Sequence, residues 1–235
     1  MDNVNTKKED PGKSLEDSIQ SKELGQLTGD ISEAVIDSIL KEGLLKELPI
    51  IGTVVGLFKV GISFRERSYL KKIYKFLYQL KDISQNERED FNKSILKNSK
   101  TTSDFFEKLL YLIDRLDDTD KAEIVGKLFN ALIKEKIKTD DFLRLTSIID
   151  KVYIGDLKYV DFRYGDDKKM TKEERLEYFQ SINESTIQES LVNSGLMTFD
   201  EEENVIEQKR LGARKKMKRR YKTTKMGSIL IEFGL

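Results

Sequence analysis

Ten cations fall between Lys209 and Lys225 with no acid among them: Lys209, Arg210, Arg214, Lys215, Lys216, Lys218, Arg219, Arg220, Lys222 and Lys225. Such a stretch cannot enter a core, because burying unpaired charge is too costly. The chain must therefore build its core elsewhere and carry a solvated element near its carboxyl end. The whole chain is neutral, with 42 Lys and Arg against 42 Asp and Glu, so this charge is segregated. Segregated positive charge commonly meets a polyanion. Residues 1–47 carry six Lys against eleven acids, a net of −5, and residues 207–235 carry ten cations against Glu207 and Glu232, a net of +8. The two ends can attract each other, or both can be solvated and screened by salt.

A chain of 235 residues can bury one sizeable core or two small ones. With 38% hydrophobic and 36% charged residues it is charged but foldable, and only 2 prolines interrupt a helix-favouring composition. There is no Cys, hence no disulfide, thiol nucleophile or zinc thiolate, which fits a reducing cytoplasm. There is no His either, which removes the usual general base, metal ligand and pH switch together. No phosphate-binding loop, dinucleotide fingerprint or Ser–His pairing is present. We therefore expect a non-enzymatic chain with no cofactor and no small-molecule substrate, although pairing of carboxylates in space is invisible at this level. Richness in Lys, Ile and Asn points to an AT-rich bacterial genome.

Residues 1–29 are polar, lack the early apolar run of a signal peptide, and read as a disordered tail. Asp30 with Glu33 opens a helix carrying Ala34, Val35, Ile36, Ile39 and Leu40. Residues 48–64, LPIIGTVVGLFKVGISF, form the most apolar stretch. It falls short of the roughly 20 apolar residues that span a membrane. Gly52 and Gly56 are spaced for close helix contact. Three roles fit Gly52, Val54, Val55, Gly56, Leu57 and Phe58: a buried element of a bundle, a membrane-contacting segment, or a self-association surface.

Helical spacing then dominates. Over 64–81, Tyr69, Leu70, Ile73, Phe76, Leu77 and Leu80 share one face, with Arg65, Arg67, Lys71, Lys72 and Lys75 opposite. Ser84 with Glu87 is a capping box. Further helices carry Phe105, Phe106, Leu109 and Ile113, then Ile124, Val125, Leu128 and Phe129, then Phe142, Leu145 and Ile149. Asp114, Asp117, Asp118 and Asp120 cluster at a turn, and Asp166 and Asp167 pair in a linker. Neither has the alternate oxygens of a calcium loop, so we read caps or solvated turns and no metal site. The expected organisation is an all-helical domain over 30–160, a linker over 161–170 and a second domain over 171–235.

In that second domain, Thr171 with Glu174 and Ser185 with Gln188 open helices, and Gly195 ends the latter. Residues 196–199 read as a strand, 200–204 as an acidic turn, and Thr224 as the cap of a last helix. Helices, strand, long basic hairpin and closing helix give the order of a winged-helix domain, so the fold class is mainly α: a helical bundle followed by a small winged-helix-like α+β domain.

The stretches SLVNSGLM (190–197) and YKTTKMGSILIEFGL (221–235) resemble the end of many bacterial winged-helix domains, with Tyr221, Thr224 and Gly227 matching. Together with KAEIVGKLFNALIKEKIKTDDFLRL (121–145), the architecture resembles bacterial abortive-infection proteins of the "alpha" type. That resemblance implies phage defence by analogy of architecture.

Residues 185–194, STIQESLVNS, would be the recognition helix of a winged helix. Gln188 and Asn193 can read bases, but the helix lacks Lys and Arg, and Glu189 repels phosphate. The charge lies in the wing. Its expected partner is nucleic acid or an acidic protein surface, with anionic lipid a further candidate. A transcriptional regulator and a membrane-perturbing effector acting through 48–64 are the alternatives to a cytoplasmic, defence-associated interaction protein, and homo-oligomerisation and peripheral membrane contact remain open.

Overall fold

The computed structural model describes residues 10–27, 48–56, 63–95, 99–165, 171–204 and 216–235. They are mainly helical, with one two-stranded antiparallel sheet near the carboxyl end. The helices are α1 (Pro11–Gln20), α2 (Pro49–Gly56), α3 (Phe64–Tyr78), α4 (Gln85–Ile95), α5 (Ser99–Arg115), α6 (Thr119–Ile133) and α7 (Thr139–Lys151). They continue with α8 (Ile154–Tyr164), α9 (Lys172–Ser181), α10 (Glu184–Ser194) and α11 (Lys225–Phe233). The strands are β1 (Met197–Asn204) and β2 (Lys216–Thr223). Two compact units divide the chain, Met1–Phe142 and Leu143–Leu235.

The first unit is organised by apolar helical faces. Leu70, Ile73, Phe76 and Leu77 of α3 are fully buried, and α3 packs on α6. Phe129 of α6 is the hub of an aromatic cluster. Its ring lies 5.4 Å from Phe76, 5.4 Å from Phe91 and 5.5 Å from Phe142. Burying each such ring contributes about 2–3 kcal/mol. Ser63 caps α3 and Glu66 reaches back to the Ser63 amide, completing a capping box. The Ser84 and Glu87 box forms at the head of α4.

The expected tail is corrected over residues 11–26. Pro11–Gln20 is a helix and Glu23–Gln26 a 3₁₀ turn, with Leu15, Ile19 and Leu24 buried. Only two apolar residues face inward from α1, too few to declare a helix by periodicity. They are held by partners distant in sequence: the Ser103 hydroxyl donates to Asp10, Asn92 donates to Glu16, and α1 packs on α2 and α5. The legible signal is Asp10 followed by Pro11, an N-cap and a proline at the first helical position.

In α2, Ile50, Ile51 and Val54 are buried and Gly52 is exposed. The Ile50 amide donates to the Ser18 hydroxyl at 2.8 Å, and Thr53 and Ser14 share a hydrogen bond at 2.8 Å. Val55 is half-buried, and Gly56 closes the helix. The described part of the apolar segment therefore lies in the core of the first unit. Leu57 and Phe58 lie outside the described residues, as does the helix expected after Asp30. No described helix is long and apolar enough to cross a membrane.

The acidic turn at 114–120 is more than a solvated cap. Asp118 does cap α6. Lys72, however, donates to the main-chain oxygens of Asp114 and Leu116 at 2.5 and 2.8 Å, Lys75 pairs with Asp120 at 2.7 Å, and Lys121 pairs with Asp117 at 2.7 Å. Lys72, Lys75 and Lys121 are buried, although two of them belong to the face of α3 expected to be solvated. Their length lets the stems lie along apolar surface while each ammonium finds oxygen.

In the second unit, α8 runs through 164, so four residues of the expected linker are helical. Thr171 and Glu174 form the expected capping box. The helix expected from Ser185 begins one residue earlier and is capped by Asn183. It ends at Gly195, whose φ of 83° favours glycine.

Candidate nucleic-acid interface

The hairpin begins at its hinge. The Thr224 hydroxyl donates to the main-chain oxygen of Gly195 at 2.7 Å and accepts from the Gly227 amide at 3.2 Å, while the Thr224 amide donates to the Leu196 oxygen at 3.0 Å. Thr224 therefore caps α11 and closes the base of the sheet together. A Cβ at position 227 would collide with the Leu196 oxygen, so only glycine fits there. The Thr224 and Gly227 pattern has a mechanical explanation independent of any ligand. Leu196, Met197 and Leu230 are buried around this base.

From the base the strands run out in strict antiparallel register, with Phe199 opposite Tyr221, Asp200 opposite Arg220, Glu201 opposite Arg219, and Glu202 opposite Lys218. This corrects the expected acidic turn at 200–204: those residues are strand. Each of the acids Asp200, Glu201 and Glu202 lies opposite a cation, and opposite charges across an antiparallel pair support pairing. The period of two sorts the ladder. Positions 216, 218, 220 and 222 of β2, all cationic, share one face with 198, 200, 202 and 204 of β1. Positions 197, 199 and 201 share the other with 219, 221 and 223.

Among the described residues, Lys222 and Arg219 pair with carboxylates. Lys222 pairs with Asp200, a diagonal neighbour on the same face. Arg219 pairs with Glu189 of α10 at 3.3 Å and lies over the Phe199 ring with its guanidinium carbon 4.6 Å from the centroid. Hydrogen bonding to Tyr221, with Glu189 and Glu201 close by, pushes the Arg219 guanidinium further up. All four charged residues in these pairs are exposed. Lys225 opens α11. Lys209, Arg210, Arg214 and Lys215 lie outside the described residues. Lys216 and Lys218 are placed by register alone.

Some polar side chains of α10 are bonded within the second unit. The Gln188 amide donates to the Tyr159 hydroxyl at 3.0 Å and to Glu184 at 3.2 Å, and Tyr159 donates to Glu184 at 2.7 Å. Ser190 donates to Asp156 at 2.6 Å. Burial pushes the Tyr159 phenol well above its ordinary range, so it remains a donor. Glu189 and Asn193 are exposed.

One groove lies elsewhere, in the first unit. It has a volume of about 470 Å³ and is lined by Arg65, Tyr69, Glu107, Leu110, Tyr111 and Asp114. Its charges are partly paired within it, Arg65 with Asp114 at 3.4 Å. Burial, with Asp114 beside it, pushes the Tyr69 phenol up to about 12. Nothing in the sequence pattern signals this groove, because its walls come from α1, α3 and α5. Among the described residues no acidic cluster is arranged to hold a metal ion.

No protein-family model matches the chain, and no curated protein or solved structure matches it significantly.

Proposed function

We propose that the chain is a non-enzymatic interaction protein whose second unit is winged-helix-like and whose hairpin contacts the phosphate backbone of nucleic acid. The order α8, α9, α10, hairpin and closing α11 supports the winged-helix-like reading. The observation that carries the function is the register, which gathers Lys216, Lys218, Arg220 and Lys222 at alternate positions of one strand. Alternate positions are about 7 Å apart, close to the spacing of phosphates along a nucleic-acid strand, so one strand can follow one backbone.

Replacing Arg214, Lys215, Lys216, Arg219 and Arg220 together by Glu is expected to abolish retention on DNA and heparin. The five Gln replacements, which do not repel the acids of β1, serve where the reversed protein fails to fold, with circular dichroism as the check. Retention that is unchanged in a folded variant overturns the proposal. Retention on an acidic protein column but not on DNA would assign the hairpin to a protein partner instead. The link to phage defence rests on the resemblance alone. Plaque counts on bacteria expressing the chain test it, and an undiminished count overturns it.

A further inference from the structure

We infer that the hairpin binds nucleic acid without reading its sequence, and that the phosphates replace carboxylates of the protein itself. This rests on the reading just given and names how that site would work. Base readout in a winged helix needs donors and acceptors projecting from the helix that enters the groove. In α10 the residue best suited to adenine, Gln188, has its amide nitrogen committed to Tyr159 and Glu184. Ser190 is committed to Asp156. The outward Glu189 carries negative charge toward any approaching backbone. Of the two candidate base readers in α10 only Asn193 is left exposed, too little to read a groove, so the helix serves to support the hairpin.

The second half of the inference comes from where the acids stand. Asp200 holds Lys222, Glu189 holds Arg219, and Glu201 and Glu202 lie opposite Arg219 and Lys218. A carboxylate oxygen at a lysine or arginine head stands where a phosphate oxygen would stand, and both groups accept the same charge-assisted hydrogen bonds. The pairs are exposed, so their exchange is cheap. The acids hold the strand in register when no ligand is present and compete with it when one arrives. Neutralising any nearby acid favours phosphate through the overall field, so the pairing is tested against Glu232→Gln, a change at an exposed acid of α11. Neutralising Asp200 or Glu189, which hold cations, should give the larger gain.

The test compares wild type with Asp200→Asn and Glu189→Gln, singly and together, and with Glu232→Gln. Binding to two duplexes of unrelated sequence, each about 20 base pairs, is measured by fluorescence anisotropy at about 50 mM salt, where phosphate contacts are strong. We expect the double variant to bind both duplexes about 3–10-fold more tightly, with a salt slope steeper by about one ion per released cation. We expect each protein to bind the two duplexes within about threefold of one another, and Asn193→Ala to leave that ratio alone. A gain from Asp200→Asn or Glu189→Gln no larger than that from Glu232→Gln, or no gain in the folded double variant, overturns the competition. A preference of more than about threefold for one duplex overturns the sequence-independent mode, and its loss in Asn193→Ala assigns the readout to α10. The five-residue charge reversal separates the two levels. If reversal abolishes binding while the double variant shows no gain, the hairpin binds nucleic acid and only this inference fails. If no protein binds either duplex, the reading of the site fails with it.

Discussion

In the first unit, Lys72, Lys75 and Lys121 reach oxygens at the turn between α5 and α6; in the second, Arg219 and Lys222 reach Glu189 and Asp200 at the hairpin. The chemistry of the pairs is alike and the surroundings are not. The Lys75 and Lys121 side chains keep 11% and 0% of their exposure, whereas Arg219 and Lys222 keep 43% and 52%. A desolvated cation cannot leave its oxygens without being stranded, so the Lys72 and Lys75 bonds fasten α3 to the α5–α6 turn while Lys121 ties the turn to α6. An exposed pair contributes about 0–1 kcal/mol and can be traded for another anion. The difference teaches that burial, not charge, separates structural cations from those available to a ligand.

The largest expected effect lies on the fastening side. Arg88 is 2% exposed and donates to the main-chain oxygens of Ile83 and Ser21 at 2.6 and 2.7 Å. Arg88→Ala strands both oxygens and removes a buried stem, and should cost about 3 kcal/mol in urea unfolding. A loss under about 1 kcal/mol would show that this cation is not structural. Lys72→Met keeps the stem and strands two oxygens, with an expected loss of about 2 kcal/mol by the same measurement. Gly227→Ala attacks the hairpin base by forcing the Leu196 oxygen aside, at about 1–3 kcal/mol for the second unit, and should speed amide exchange in β1, β2 and α11. Lys222→Ala completes the series. It should change stability by less than about 0.5 kcal/mol yet weaken retention on DNA, and a stability loss as large as that of Lys72→Met would erase the contrast.

A pH experiment sharpens the first unit alone. The Tyr69 phenol has its folded pKa raised from 10.0 to about 12. Between those values the unfolded chain has released the proton and the folded chain retains it, so stability falls as pH rises through that window. Phenylalanine at position 69 should remove that part of the alkaline loss, which thermal unfolding across the window measures.

Much of the helical plan was legible because apolar spacing is a local signal. The inner face of α3 is buried at Leu70, Ile73, Phe76 and Leu77, and Thr224 and Gly195 cap the helices they were expected to cap. What escaped the sequence depends on distant partners. Helix α1 gains its core from α2 and α5. Lys72 and Lys75 belong to a polar face in the helical pattern and find their oxygens more than forty residues away. The acids at 200–202 look like a turn until the register sets them against β2. The same register changes the meaning of the basic run. Its ten cations are visible at once in the sequence, but carboxylate partners at Lys222 and Arg219 are not, and they turn a simple positive patch into one whose charge is partly answered from within.

The most direct measurement is the salt dependence of binding to a duplex of about 20 base pairs, for wild type and for Lys218→Gln, Arg220→Gln and Lys222→Gln combined. The account predicts that affinity falls and that the logarithmic salt slope shrinks by about 0.9 for each phosphate that the variant no longer neutralises. Equal affinity and equal slope in a folded triple variant would contradict it.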